Sequence, residues 1–110
     1  MSKRKSRQHK YGAIPTVIDG IRFASKAEAR RYQELTLLER NFLIKNLELQ
    51  PSYQLIVNDQ KICRYIADFR YTTPDGIEHI EDVKGIETPM FKLKRKLMKA
   101  CLNLDIEIIK

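Results

Sequence analysis

The 110-residue chain predicts an α/β fold of the α+β kind, with an N-terminal β-hairpin followed by the order α-β-β-β-α-β. Three observations carry this. Two segments rich in helix formers each follow a capping signal, the runs between them are rich in β-branched and aromatic residues, and turn residues separate those runs. Three turn-linked strands and a helical crossover to a fourth imply a mixed central sheet flanked by helices.

Each element has a local cause. Asp19-Gly20 between Thr16-Val17-Ile18 and Ile21-Arg22-Phe23 is a two-residue hairpin signal. Ser25 followed by Glu28 makes an S-x-x-E capping box, and Tyr32, Leu35, Leu38 and Phe42 recur behind it at helical spacing. That helix is expected to stop at Asn41 or Asn46, and Pro51 closes the helical region. Residues 52–59 read as a strand turning at Asn58-Asp59, and residues 61–73 as a longer one. Pro74-Asp75-Gly76 then turns the chain into an antiparallel partner over 77–84. Thr88-Pro89 caps a second helix over about 89–103, and "DIEIIK" ends the chain as a strand.

The length fits one domain, 11–110, behind a basic tail, 1–10, and the 43% hydrophobic fraction supports a packed core. No run approaches the roughly 18 apolar residues of a membrane helix, and no signal peptide opens the chain. A soluble, cytoplasmic protein with no membrane partner is the expectation. Cys63 and Cys101 lack metal-site spacing and are expected as free, packed thiols. The net charge of +7 is uneven. Lys3, Arg4, Lys5, Arg7 and Lys10 stand in the tail without an acid, and Lys92, Lys94, Arg95, Lys96 and Lys99 crowd into "KLKRKLMK". Two basic clusters on a small chain point to a polyanion partner, nucleic acid first. The tail serves equally as a phosphate-seeking arm or a solubilising segment.

The candidate chemistry lies on two adjacent strands. Side chains alternate along a strand, so Asp82 and Lys84 share one face and Glu81 and Val83 the other. Asp68 interrupts "RYIADFRY" on a face with Ile66 and Arg70, and the turn at 74–76 lets Asp68 approach Asp82. Paired carboxylates are costly without a cation, and Mg2+ (or Mn2+) prefers oxygen ligands and keeps waters for a phosphate substrate. A lysine two positions on can orient or deprotonate the attacking water. Alone, "DVK" is equally at home at a solvated strand end.

Glu28 lies in one helical sector with Tyr32, Leu35 and Phe42, either as a site residue or as the capping partner of Ser25. On the second helix Met90, Leu93, Leu97, Cys101 and Leu104 make an apolar stripe, opposite Lys92, Arg95, Lys96 and Lys99. Lys94 falls on the apolar side, where it snorkels past the core edge or reaches toward the carboxylates. Other chemistries lack parts. His9 and His79 are the only histidines, and no glycine-rich phosphate loop occurs.

Three blocks in order, "KYGAIPTVIDGIRFASKAEARRYQEL", "YIADFRY" and "IEDVKGIETPMFKLKRKL", resemble the PD-(D/E)xK nuclease superfamily. More narrowly, they resemble a small phage- and prophage-encoded family within it, over nearly the whole chain. The resemblance implies a restriction-endonuclease-like αβββαβ core and a divalent-metal endonuclease akin to Holliday-junction resolvases and transposon end-cleaving nucleases. It implies Asp68 and Asp82 as metal ligands, the Val83 backbone carbonyl as a further one, and Lys84 as the catalytic lysine. Glu28 would match the first-helix glutamate that assists the metal site. Asp68 follows Ala67 where the superfamily's name has proline.

The expected function is therefore a Mg2+-dependent DNA endonuclease of phage or mobile-element DNA metabolism, acting in the cytoplasm of a bacterial host. The core uses most of the chain, which favours recognition of branches or ends over a defined sequence. Branch resolution takes paired cuts and so predicts a homodimer. The alternative, from another class, is a catalytically inactive nucleic-acid-binding module or partner subunit that retains the fold.

Overall fold

Asp19 and Gly20 both adopt positive φ, 53° and 76°, as a type I′ turn requires. They join β1 (Thr16–Ile18) to β2 (Ile21–Phe23), with Ile18 opposite Ile21. The computed structural model describes residues 14–110, so the tail cations Lys3, Arg4, Lys5, Arg7 and Lys10 lie outside the described residues.

Ser25 caps α1 (Lys26–Arg40), its hydroxyl accepting the Glu28 N–H at 3.1 Å. The helix stops at the first of the two predicted asparagines, Asn41. Phe42 takes φ 59°, its N–H donates to the Glu39 carbonyl, and the Leu43 N–H donates to the Leu38 carbonyl. This is the Schellman pattern, which satisfies the last carbonyls with a left-handed residue just past the cap. It also removes Phe42 from the predicted stripe and leaves it 88% exposed.

β3 (Lys45–Leu49) is a strand that the sequence does not announce. Asn46 at φ 58° and a register shift between Lys45 and Glu48 break the two-residue alternation that marks a strand. The single strand expected over 61–73 is two, β5 (Gln60–Ile66) and β6 (Phe69–Thr72), parted at Ala67-Asp68. β4 (Ser52–Val57) pairs with β5, and β3 pairs with β6. Opposite Ala67-Asp68 lie Gln50-Pro51: the Ala67 N–H donates to the Pro51 carbonyl at 3.1 Å, and the Gln50 N–H to the Asp68 carbonyl at 3.0 Å. One long ribbon therefore bends as a unit, and Asp68 sits at the bend.

The central sheet runs β3-β6-β7-β8, with β7 (Glu78–Val83) antiparallel to β6 and parallel to β8 (Ile106–Ile109). The mixed sheet matches the prediction, with two more strands than expected after the hairpin. The parallel crossover is α2 (Pro89–Leu102), opened by Thr88, whose hydroxyl accepts the Phe91 N–H at 3.1 Å, and ended by Asn103 at φ 56°.

Both sheet faces are covered. Ala29 and Leu35 of α1 pack with Phe69, Tyr71 and Phe23 on one side. Phe91 and Met98 of α2 pack with Ile80, Ile106 and the ribbon's Tyr53, Leu55 and Tyr65 on the other. Residues alternating along β7 thus enter different cores, and Glu81 and Asp82 are both buried. The buried stripe of α2 differs from the predicted one. Met90 and Leu93 are exposed, while Phe91 and Met98 are buried and Leu97 and Cys101 pack beside them. The ring of Phe91 has more area to bury than either displaced side chain, and it sets the helix's rotation. Cys63 and Cys101 are free and half-buried. Among the described residues no helix is long and apolar enough to cross a membrane.

Candidate active site

At the bend Asp68 keeps backbone bonds to both neighbouring strands, and its side chain bears on the end of β7. Its N–H donates to the Glu81 carbonyl at 3.0 Å, and its carboxylate accepts the Val83 N–H at 2.7 Å. Within a strand the N–H and C=O of one residue point the same way, so the Val83 carbonyl faces this edge too. Asp68 Oδ2 thus holds the backbone one residue past Asp82, and the Asp82 charge acts on it, so the two carboxyls lie close enough to interact. Burial first, and then the Glu28 and Asp82 charges, push Asp68 up to about 7, against the Val83 N–H, which lowers it.

Asp82 is 4% exposed and accepts a hydrogen bond from the buried Tyr65 hydroxyl. Burial and this carboxylate hold the Tyr65 phenol well above its ordinary value. Lys84 leaves the sheet just beyond, its N–H bonded to the Ile109 carbonyl at 3.0 Å. Its Nζ stands 3.4 Å from Asp82 Oδ1 and 4.6 Å from the centroid of the Phe91 ring. The amine is thus aimed by a carboxylate and an aromatic face, as the shared parity of Asp82 and Lys84 requires.

Glu28 stands at the helix start and within electrostatic reach of Asp82 and Lys84. Its backbone caps at Ser25, and the Ser25 hydroxyl and Ala24 N–H favour its charged form. Burial and Asp82 nevertheless raise its pKa, with Lys84 opposing. Glu28 and Asp68 line the same small recess, of 120 Å³, beside Gln50 and Arg22. Among the described residues no three or more His, Cys, Asp or Glu side chains are arranged to hold an ion by themselves. The site therefore offers two adjoining carboxylates with Glu28 beyond them.

The basic residues divide between two clefts. Lys92, Arg95, Lys96 and Lys99 line a 510 Å³ groove on the outer side of α2. Glu87 stands 3.7 Å from Arg95, and Asp105 3.2 Å from Lys99, so part of that charge is offset. Lys94 turns the other way, donating to the Arg64 carbonyl at 2.9 Å. It thereby joins Arg64, Asp82 and Lys84 around a 490 Å³ cleft. Lys94 ties α2 to β5 rather than binding a carboxylate.

Sequence reasoning missed the group behind the site. Glu81, fully buried, accepts hydrogen bonds from Arg31 Nε at 2.8 Å, Arg31 Nη2 at 2.6 Å and the Tyr71 hydroxyl at 2.5 Å. Arg31 lies one turn after Glu28, so this bond clamps α1 to the strand that carries Asp82. The available signal was strand parity on a sheet covered on both sides, since a carboxylate opposite Asp82 must then find a buried partner. His79 pairs with Glu107 of the next strand at 2.6 Å and stacks on Tyr71, away from the carboxylates.

A family model described as "Protein of unknown function (DUF1064)" matches residues 8–108. No curated protein matches the chain, and no solved structure does.

Proposed function

The chain belongs to the DUF1064 family, whose description names no activity, and from its own site we propose that it is a metal-dependent DNA endonuclease with a restriction-endonuclease-like core. The observation that carries this is the Asp68 carboxylate bonded to the Val83 N–H directly beside Asp82, with the Lys84 amine 3.4 Å from Asp82 in a cleft that Arg64 and Lys94 also line. The donors fit Mg2+ or Mn2+: two crowded carboxylates gain from a divalent charge, and such ions need few protein oxygens because they retain waters and take phosphate oxygens. When bound, the ion polarises the phosphate and makes a nucleophile available near neutral pH.

The protein's own groups supply the rest. Tyr65 fixes the rotamer of Asp82 through its hydroxyl, and Asp82 in turn orients Lys84. Lys84 meets the scissile phosphate, offsets the charge that develops there and holds the attacking water in line. Glu28, its pKa raised by burial, is a proton acceptor at the rim of the same site. Arg64 and Lys94 take the neighbouring phosphates. Hydrolysis then forms one phosphorus–oxygen bond to water and breaks one to the deoxyribose. The substrates proposed are branched DNA or ends, in phage or mobile-element DNA metabolism, with a homodimer where paired cuts are made.

The test is cleavage of branched, flapped and linear DNA in Mg2+ or Mn2+. The wild type is expected to cut, and Asp82→Asn and Lys84→Ala to lose at least about 100-fold in rate. Folded protein that binds DNA and cuts none of these would support the non-cleaving module instead.

A further inference from the structure

We propose that Ile66 and Met90 form an apolar jaw that holds unstacked nucleotides beside the scissile phosphate, so that the protein selects DNA with unpaired bases at the cut over continuous duplex. This rests on the nuclease reading and names the feature of DNA that the site prefers.

Ile66 closes β5 and Met90 opens α2, yet both line the one cleft that contains Asp82 and Lys84. They are 49% and 59% exposed. Single exposed aliphatic side chains are ordinary on a protein surface. Two that converge from different elements on a cleft lined also by Arg64, Lys84, Lys94, a buried carboxylate, Thr88 and the buried rings of Tyr65 and Phe91 are a different matter. The cations define the occupant as a polyanion, and a phosphate–sugar backbone offers little apolar surface to match the other two. Base faces do offer it. DNA-binding proteins insert aliphatic wedges between base steps, and unstacking is least costly where a base is already unpaired.

The jaw is also braced. Lys94 Nζ, one helical turn after Met90, donates to the carbonyl of Arg64, two residues before Ile66, at 2.9 Å. That bond ties together the two elements bearing the apolar tips and fixes their separation. The outward face of β5 continues the pattern, with exposed Ile62 and Arg64 leading to Ile66.

The experiment compares binding to a flapped duplex and to the matching continuous duplex in EDTA, where no cutting occurs, with a fluorescent base analogue at the branch. The wild type is expected to prefer the flap by at least about tenfold, with brightening of the unstacked analogue. In the double variant Ile66→Thr/Met90→Gln the ratio should fall to near one and the brightening disappear. Both side chains are exposed, and an unchanged urea midpoint would verify folding. A wild-type ratio of one, or a variant that loses affinity for both DNAs in parallel, overturns the jaw. Protein that keeps the ratio but cuts nothing with Mg2+ or Mn2+ leaves the jaw standing and removes the nuclease reading.

Discussion

Replacing Arg31 by alanine would strand the Glu81 carboxylate inside the protein. Glu81 is 0% exposed and has three donors, two from Arg31 and one from Tyr71. Breaking one partner of a buried ion pair costs about 3–5 kcal/mol, because the remaining charge is left uncompensated. Arg31 is itself 22% exposed, so water can enter where it stood, and the cost should fall near the lower end, about 3 kcal/mol. Against a total stability of about 5–15 kcal/mol, that is a large fraction. Tyr71→Phe removes one bond to a charged group and should cost about 1.5 kcal/mol. The double variant Arg31→Met/Glu81→Leu removes both charges and fills similar volume but leaves the buried Tyr71 hydroxyl without its acceptor, and should cost about 1–2 kcal/mol, less than Arg31→Ala. Urea unfolding followed by circular dichroism yields all of these values, and the single variants Arg31→Met and Glu81→Leu close a cycle that isolates the coupling. Arg31→Ala costing under about 1 kcal/mol would refute the clamp, as would a double variant less stable than either single one.

Other outcomes follow from particular residues. Asp68 is raised from 3.8 to about 7, so between these values the folded state binds more protons than the unfolded one. Its contribution to stability is complete below about pH 4 and is lost as pH rises through about 7. Metal-free Asp68→Asn should escape that loss and exceed the wild type by on the order of 2–4 kcal/mol above about pH 8, with no such gain near pH 4. A variant less stable at the higher pH would contradict it. Phe42 holds a left-handed conformation with its ring 88% exposed, so Phe42→Gly should raise the thermal midpoint, by about 0.5–1 kcal/mol of stability; a lowered midpoint would mean the ring packs after all. Removing residues 1–10 takes away five cations and should flatten the salt dependence of DNA binding by as much as about 4 in logarithmic slope. An unchanged slope would make the tail a solubilising segment.

What could be read from the sequence was local. The Asp19-Gly20 turn, the Ser25 and Thr88 caps and the turn at 74–76 are each fixed by a few neighbouring residues, and the last of these sets the β6–β7 pairing that brings Asp68 beside Asp82. What was hidden depends on partners distant in sequence. The ribbon bends at Asp68 because Gln50 and Pro51 bond across from it, and nothing within 61–73 reveals that. β3 carries a left-handed asparagine that breaks its period. The rotation of α2 follows from what Phe91 meets on Tyr65 and Ile80, not from the helix's own spacing. Parity put Glu81 on the face opposite Asp82, but its burial depends on α1 covering that face.

The claim on which the rest depends is that Asp68 and Asp82 form a divalent-cation site. Titration of the protein with Mn2+, followed by the paramagnetic resonance of the free ion, tests it without any assumption about substrate. The wild type should bind the ion saturably, and both Asp68→Asn and Asp82→Asn should lose that binding. A wild type that leaves all the ion free, or an asparagine variant that binds as well as the wild type, would contradict it.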